Sequence, residues 1–320
     1  MSPLQSPVAP RHPYYTRSTS TAEDVPVVPL TPPRVLRIQN EKFETAKRLL
    51  TQNPGHGPVT IAEGISLDEY ANYISTHPKL PVNICLIGGN IEAYEIPYTP
   101  HSEVASIMSY FIPPWTPPPM PPHNLRSGSE RFIKVGPDNS FSPDMSYRPA
   151  QRLPAPGQTN PNFVYPTLVV EVSVSETFRH VHQKAQLYLQ HTPVQLVLVI
   201  KFWEIRQSNL FGMVVVLYQT GTPTIAISCG TGNIEQMAAR GLDHQLGLNV
   251  ITGVGYNGPN GPYPPCDTFN IPEYRINLPA AALWQGDPQG IPAGYVNGID
   301  LDLYIIQQAA FRAMTETSRA

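Results

Sequence analysis

The sequence predicts an α/β (α+β) domain: a mixed β-sheet flanked by helices, with a disordered Pro-rich N-terminal tail and an irregular C-terminal extension. Three observations predict it. First, Thr167 to Ser173 is rich in β-branched residues, Glu176 to Gln190 is helical, and Val194 to Trp203 is apolar again. A strand, a helix and a returning strand imply a right-handed crossover with the two strands parallel. Second, Asn83 to Ile87 and Ile91 to Ile96 flank Gly88-Gly89-Asn90, which reads as an antiparallel hairpin. Third, proline supplies 38 of 320 residues and charged residues only 14%, so much of the chain is loop.

Taken in order, residues 1–35 are rich in Pro, Ser and Thr and carry too little apolar surface to offset chain entropy, so a disordered tail is expected. Phe43, Ala46, Leu49 and Leu50 then fall at helical spacing before the stop Asn53-Pro54-Gly55. Ser66-Leu67-Asp68-Glu69 is a capping box, and Leu67, Tyr70, Ala71 and Ile74 share the face of the helix it starts, which His77-Pro78 ends. After the hairpin, His101 to Phe111 reads as a helix closed by Ile112-Pro113-Pro114. The tract 113–122 is polyproline-like. It could dock in an aromatic groove of a partner, but its place between structured elements favours a stiff spacer. Short strands are expected at Arg131 to Val135 and Asp144 to Tyr147, and further strands at Met213 to Tyr218 and Thr224 to Cys229. The predicted organisation is a tail over 1–35, a main domain over 36–229 with the proline insertion, and a Gly/Pro-rich extension over 230–320 ending in a helix, Asp300 to Met314, packed on the main domain.

The net charge of −3 and pI near 6.3 provide no global basic field for a polyanion, so any nucleic-acid contact must be local. Cys85, Cys229 and Cys266 lack the close pairing of a structural zinc site and read as reduced thiols. With no signal-peptide pattern and no apolar run of about 18 residues, the expectation is an intracellular protein, cytoplasmic or nuclear, not secreted and without a membrane partner.

The chemical content concentrates in Asp144, Glu171 and Lys184. Magnesium is held by one or two carboxylates plus water and substrate phosphate. Asp144 and Glu171 on adjacent strands would supply that pair, and a nearby lysine would stabilise the attacking water or the transition-state phosphate. Each residue also has a plain reading, as a turn aspartate after Pro143, a strand-end charge and a solvated helix lysine. Two helix starts are open. With Ser175 as N-cap, the strand overshoots Glu171 by roughly 13 Å at about 3.3 Å per residue and the helix returns Lys184 beside Glu171. With Ser173 as N-cap and Glu176 completing a capping box, Lys184 passes the carboxylate.

The segments Thr60-Ile61-Ala62-Glu63-Gly64-Ile65-Ser66-Leu67-Asp68-Glu69-Tyr70, Leu86-Ile87-Gly88-Gly89-Asn90-Ile91, His101-Ser102, Ser142-Pro143-Asp144, and Leu168-Val169-Val170-Glu171-Val172-Ser173 through Lys184-Ala185-Gln186-Leu187-Tyr188 together resemble the Uma2 family. That family belongs to the PD-(D/E)XK restriction-endonuclease-like superfamily. The resemblance implies a restriction-endonuclease-like core and a metal-dependent endonuclease hydrolysing DNA, with Asp144 and Glu171 as ligands of Mg²⁺ (or Mn²⁺) and Lys184 replacing the lysine that the short E-x-K motif would put at Ser173. The chain departs from the pattern at Asn90, where an acid is usual and Glu92 is the nearest substitute, and at His180, one turn before Lys184. The alternative is a catalytically degenerate nuclease fold acting as a binding or effector module. DNA is the expected partner, and a homodimer is compatible with the reading.

Other signals carry less. Gly253-Val254-Gly255-Tyr256-Asn257-Gly258 matches GxGxxG, but Pro259 and Pro262 follow where a helix must start. His180 and His182 point in different directions on a helix, which argues against a joint metal site with His191. His101 reads equally as a cap, a packing residue or a contributor to the site. Arg126, Arg131 and Lys134 read as a solvated rim.

Overall fold

The computed structural model describes residues 35–53, 56–96, 99–112, 125–128, 132–155, 164–206, 210–221, 225–230 and 264–317. The proline tract 113–122, the GxGxxG segment, Arg131 and, except for Val35, the expected tail lie outside the described residues.

The first layer is built by α1 (Asn40–Gln52), β1 (Val59–Ala62), α2 (Leu67–Thr76), β2 (Asn83–Ile87) and β3 (Asn90–Glu95). The capping box forms as the sequence predicts: the Ser66 hydroxyl accepts from the Glu69 N–H, and the Glu69 carboxylate accepts from the Ser66 N–H at 2.9 Å. Tyr70 and Tyr73 are the buried residues of α2, and the Tyr70 hydroxyl donates to the Ile84 carbonyl at 3.1 Å, tying the helix to β2. Strands β2 and β3 pair antiparallel around Gly88 and Gly89, whose φ values of 56° and 77° are the two left-handed positions of a type I′ turn. With β5 (Ile133–Lys134) and β6 (Ser140–Phe141) these strands form a five-stranded sheet in the order β1-β3-β2-β6-β5.

The second sheet holds the crossover. It comprises β4 (Leu125–Gly128), β7 (Met145–Pro149), β8 (Leu168–Ser173), β9 (Leu196–Arg206), β10 (Leu210–Gln219) and β11 (Ile225–Gly230), in the order β11-β10-β9-β8-β7-β4. The β8–β9 pair is parallel, with Glu171 opposite Val199, and the other pairs are antiparallel. The chain thus forms a mixed sheet, as predicted, and places the hairpin in a separate one. All six residues of β8 are buried, because helices cover both faces of this central strand. Helix α4 (Phe178–His191) covers the side bearing Val169, while Leu168, Val170 and Val172 face the opposite core with Val104 and Met108 of α3 (Thr99–Phe111).

Within the C-terminal stretch, β12 (Arg275–Leu278) and β13 (Ile299–Asp302) pair antiparallel and lead into α5 (Leu303–Thr317). The sequence pattern places the start of this helix at Asp300, but residues 299–302 are extended because they pair with β12. Helix α5 packs on α3 and on β9, β10 and β11. Leu303, Ile306, Ala310 and Met314 join Leu198, Ile200, Met213 and Val215 in one apolar cluster. Full burial of such a side chain contributes about 1.5–3 kcal/mol, so α5 is an integral wall of this core.

Candidate active site

The residues that meet around β8 come from five elements. Glu171 lies on the α4 side of β8, two residues from Val169. Its Oε2 accepts from the Lys184 ammonium at 2.6 Å and its Oε1 from the Tyr188 hydroxyl at 3.0 Å, both from successive turns of α4. Lys184 has no exposed surface. Its Nζ also lies 3.7 Å from Oε1 of Glu176 and 4.4 Å over the Tyr94 ring centre. Burial raises Glu171 to about 7, opposed by Lys184 and reinforced by the Asp144 and Glu176 carboxylates. Burial would lower Lys184, but Glu171 and Glu176 outweigh it and hold the ammonium well above its usual range. Two carboxylates, Glu171 and Glu176, thus share one ammonium, while the Asp144 charge adds to the load on Glu171.

Asp144 stands immediately before β7, the antiparallel neighbour of β8. Its Oδ2 accepts from the Val172 N–H at 2.6 Å, which anchors the carboxylate to the residue after Glu171. Its Oδ1 lies 3.3 Å from Nδ1 of His101. Nε2 of the same imidazole lies 3.3 Å from Oε2 of buried Glu95, an ionic contact too oblique for a hydrogen bond. Burial would lower His101, but Glu95 and Asp144 on its two nitrogens raise it to about 10. Asp144 also borders a cavity of about 590 Å³ that His77, Lys79, Asn83 and Tyr94 help to line.

All three residues singled out from the sequence therefore converge on β8, although the local reason differs from both expected helix starts. The N-cap of α4 is Thr177, whose hydroxyl accepts from the His180 N–H. The chain bends over Val174 to Glu176 before the helix can start, because Oε1 of Glu95 accepts from the N–H groups of Val174, Ser175 and Glu176 at 2.8, 2.7 and 3.1 Å. Lys201, opposite Ser173 in the parallel register, donates from the other side to the carbonyls of Val174 and Glu176. Ser173 is buried and donates to the Glu176 carbonyl at 3.1 Å, confining it to a structural role.

Sequence reasoning missed Glu95 and Lys201, which hold this turn from positions with no local motif, and read Glu176 only as a capping-box residue and not as a neighbour of Lys184. The only signal for Glu95 and Lys201 was their occurrence as charged residues in or beside apolar strands. His180 lies near the site through its contact with Glu176, whereas His182 turns away to the Tyr218 hydroxyl at 3.0 Å. Arg126 is exposed, and Lys134 is half exposed and 3.7 Å from Asp68. Among the described residues no helix is long and apolar enough to cross a membrane.

A mixed sheet with carboxylates at two adjacent strands and a lysine from the following helix defines a restriction-endonuclease-like domain. The family model of Uma2, described as "Putative restriction endonuclease", matches residues 67–219, just under half of the chain. Among solved structures the chain is similar to a "putative nuclease belonging to DUF820" from Anabaena variabilis, at 21% identity and a TM-score of 0.37, over 51% of this chain and 84% of that one. No curated protein matches.

Proposed function

We propose that the chain is a divalent-metal-dependent endonuclease that hydrolyses DNA phosphodiester bonds. The observation carrying this reading is the Lys184–Glu171 contact of 2.6 Å beside an Asp144 carboxylate anchored on Val172. Asp144 and Glu171 would hold Mg²⁺ or Mn²⁺. The donor set fits: both are hard oxygen donors, each carboxylate oxygen keeps a second lone pair, and their mutual repulsion is what a cation would relieve. When bound, the ion would supply polarisation of the phosphorus centre and acidification of a water.

The protein's own part is positioning. The Val172 N–H and His101 fix both Asp144 oxygens, and Glu95 fixes His101. Lys184, kept as ammonium by its carboxylates, is placed to stabilise the attacking water or the transition-state phosphate. The cavity beside Asp144, with Lys79 and His77 on its wall, offers a seat for a backbone phosphate. Cleavage of plasmid DNA is expected only with a divalent metal, and Asp144→Asn and Glu171→Gln should each abolish it. Activity that survives both substitutions would remove these residues from the reaction.

The complete burial of Lys184 and the 2% exposure of Glu171 favour a second reading, a nuclease fold kept as a binding or effector module. That reading requires no cleavage under any metal and no thermal stabilisation by Mg²⁺.

A further inference from the structure

Cys85 of β2, Glu92 of β3 and His180 of α4 bring one ligand atom each into a group whose members all lie within 4.8 Å of one another. Cys85 Sγ is 3.9 Å and Glu92 Oε2 is 3.6 Å from Nε2 of His180. In a tetrahedral zinc site, bond lengths near 2.3 Å to sulfur and 2.0–2.1 Å to nitrogen and oxygen put ligand atoms about 3.3–3.6 Å apart. The two separations from Nε2 would need to close by a few tenths of an ångström at most, and the Cys85–Glu92 separation, itself within 4.8 Å, by no more than about 1.2 Å.

The surroundings fit a metal as well. Nδ1 of His180 is in short contact with Oε1 of Glu176, so in the tautomer that carries its proton on Nδ1 the imidazole donates to this carboxylate and leaves the Nε2 lone pair facing Cys85 and Glu92. This carboxylate–histidine arrangement orients zinc-binding imidazoles. Cys85 is fully buried and His180 nearly so, whereas the Glu92 side chain is 19% exposed, which gives one way in and room for a solvent ligand. Glu171 and Glu176 flank the Lys184 ammonium and Glu92 lies against His180, a gathering of carboxylates whose repulsion a cation would offset.

We propose that Cys85, Glu92 and His180 form a zinc-class metal site, separate from the Asp144–Glu171 pair, with a solvent molecule as fourth ligand. Thiolate and imidazole donors select a borderline-soft ion over Mg²⁺. Binding replaces the thiol proton of Cys85 with the metal, and that proton leaves to water. The site stands whether or not the protein cleaves DNA.

The test is titration of the purified, chelator-stripped full chain with Co²⁺, then Zn²⁺. One equivalent of Co²⁺ is expected to give the thiolate-to-cobalt charge-transfer band and the intense visible bands of a tetrahedral ion, and Zn²⁺ should bleach both. Cys85→Ser should abolish the charge-transfer band, and Glu176→Gln should weaken Zn²⁺ binding about 10- to 100-fold. Cys229→Ala and Asp144→Asn should leave the spectrum intact. A wild-type protein without the charge-transfer band overturns the proposal whatever the variants do. A band that survives Cys85→Ser, or disappears with Asp144→Asn, overturns it as well.

Discussion

Two buried carboxylates sit within one turn of the same chain reversal and are driven in opposite directions. Glu171, on β8, is raised to about 7, whereas Glu95, at the end of β3, is held down at about 2. Burial pushes both upward and by itself cannot explain the difference. Glu95 answers burial with His101, Lys201 and the N–H groups of the turn at Val174 to Glu176. Glu171 has one ammonium and one phenol, and shares that ammonium with Glu176 while facing Asp144. What separates the two carboxylates here is the number of donors on each, not its depth.

Lys184→Met is the harshest way to break this contrast. It leaves Glu171 buried without its cation, and removing one partner of a buried pair typically costs about 3–5 kcal/mol in urea unfolding. Because the Glu171 pKa is raised above its ordinary 4.5, the carboxylate's penalty is absent in acid and grows as pH rises through the folded value. The loss should therefore be larger at pH 8 than at pH 5, and an equal loss at both would mean that Glu171 is not the strained member.

Glu95→Gln tests the opposite pole. Losing charge-assisted bonds to the turn should cost about 2–3 kcal/mol and speed hydrogen exchange at the amides of Val174, Ser175 and Glu176, which a merely global weakening would not single out.

His101→Gln sharpens the comparison by pH. A histidine raised from 6.5 to about 10 contributes stability that is fully present below pH 6.5 and lost as pH rises to about 10. The gap in melting temperature between wild type and variant should be widest below pH 6.5 and narrow across that window. A constant gap would place the effect of His101 in packing alone.

Ser66→Ala supplies the scale. It removes an exposed, neutral cap far from either carboxylate and should cost about 1 kcal/mol with little pH dependence near neutrality.

Much of this geometry was legible wherever the signal is local. The Ser66–Glu69 box, the Gly88-Gly89 turn and the strand-helix-strand unit from Leu168 to Arg206 each follow from neighbouring residues alone. Lys184 was placed beside Glu171 by counting along strand and helix, yet the helix begins two residues later than the Ser175 start that made the count work. The delay comes from Glu95, which captures the amides at 174–176 from some 80 positions away. No propensity or capping rule reports a contact of that range. The ribbon of β12 and β13 was hidden for a similar reason, since glycine, proline and asparagine mask short strands that need each other to form.

The docking of α5 on β9, β10 and β11 bears on how the protein can be handled. The family match ends at residue 219, but the apolar cluster that includes Leu198 and Val215 is completed by Leu303, Ile306 and Met314. A clone trimmed to the matched segment would keep Asp144, Glu171 and Lys184 yet leave one sheet face bare, so it should aggregate on expression. A protease that nicks the chain between residues 231 and 263, in contrast, should leave two fragments that remain associated until denaturant separates them.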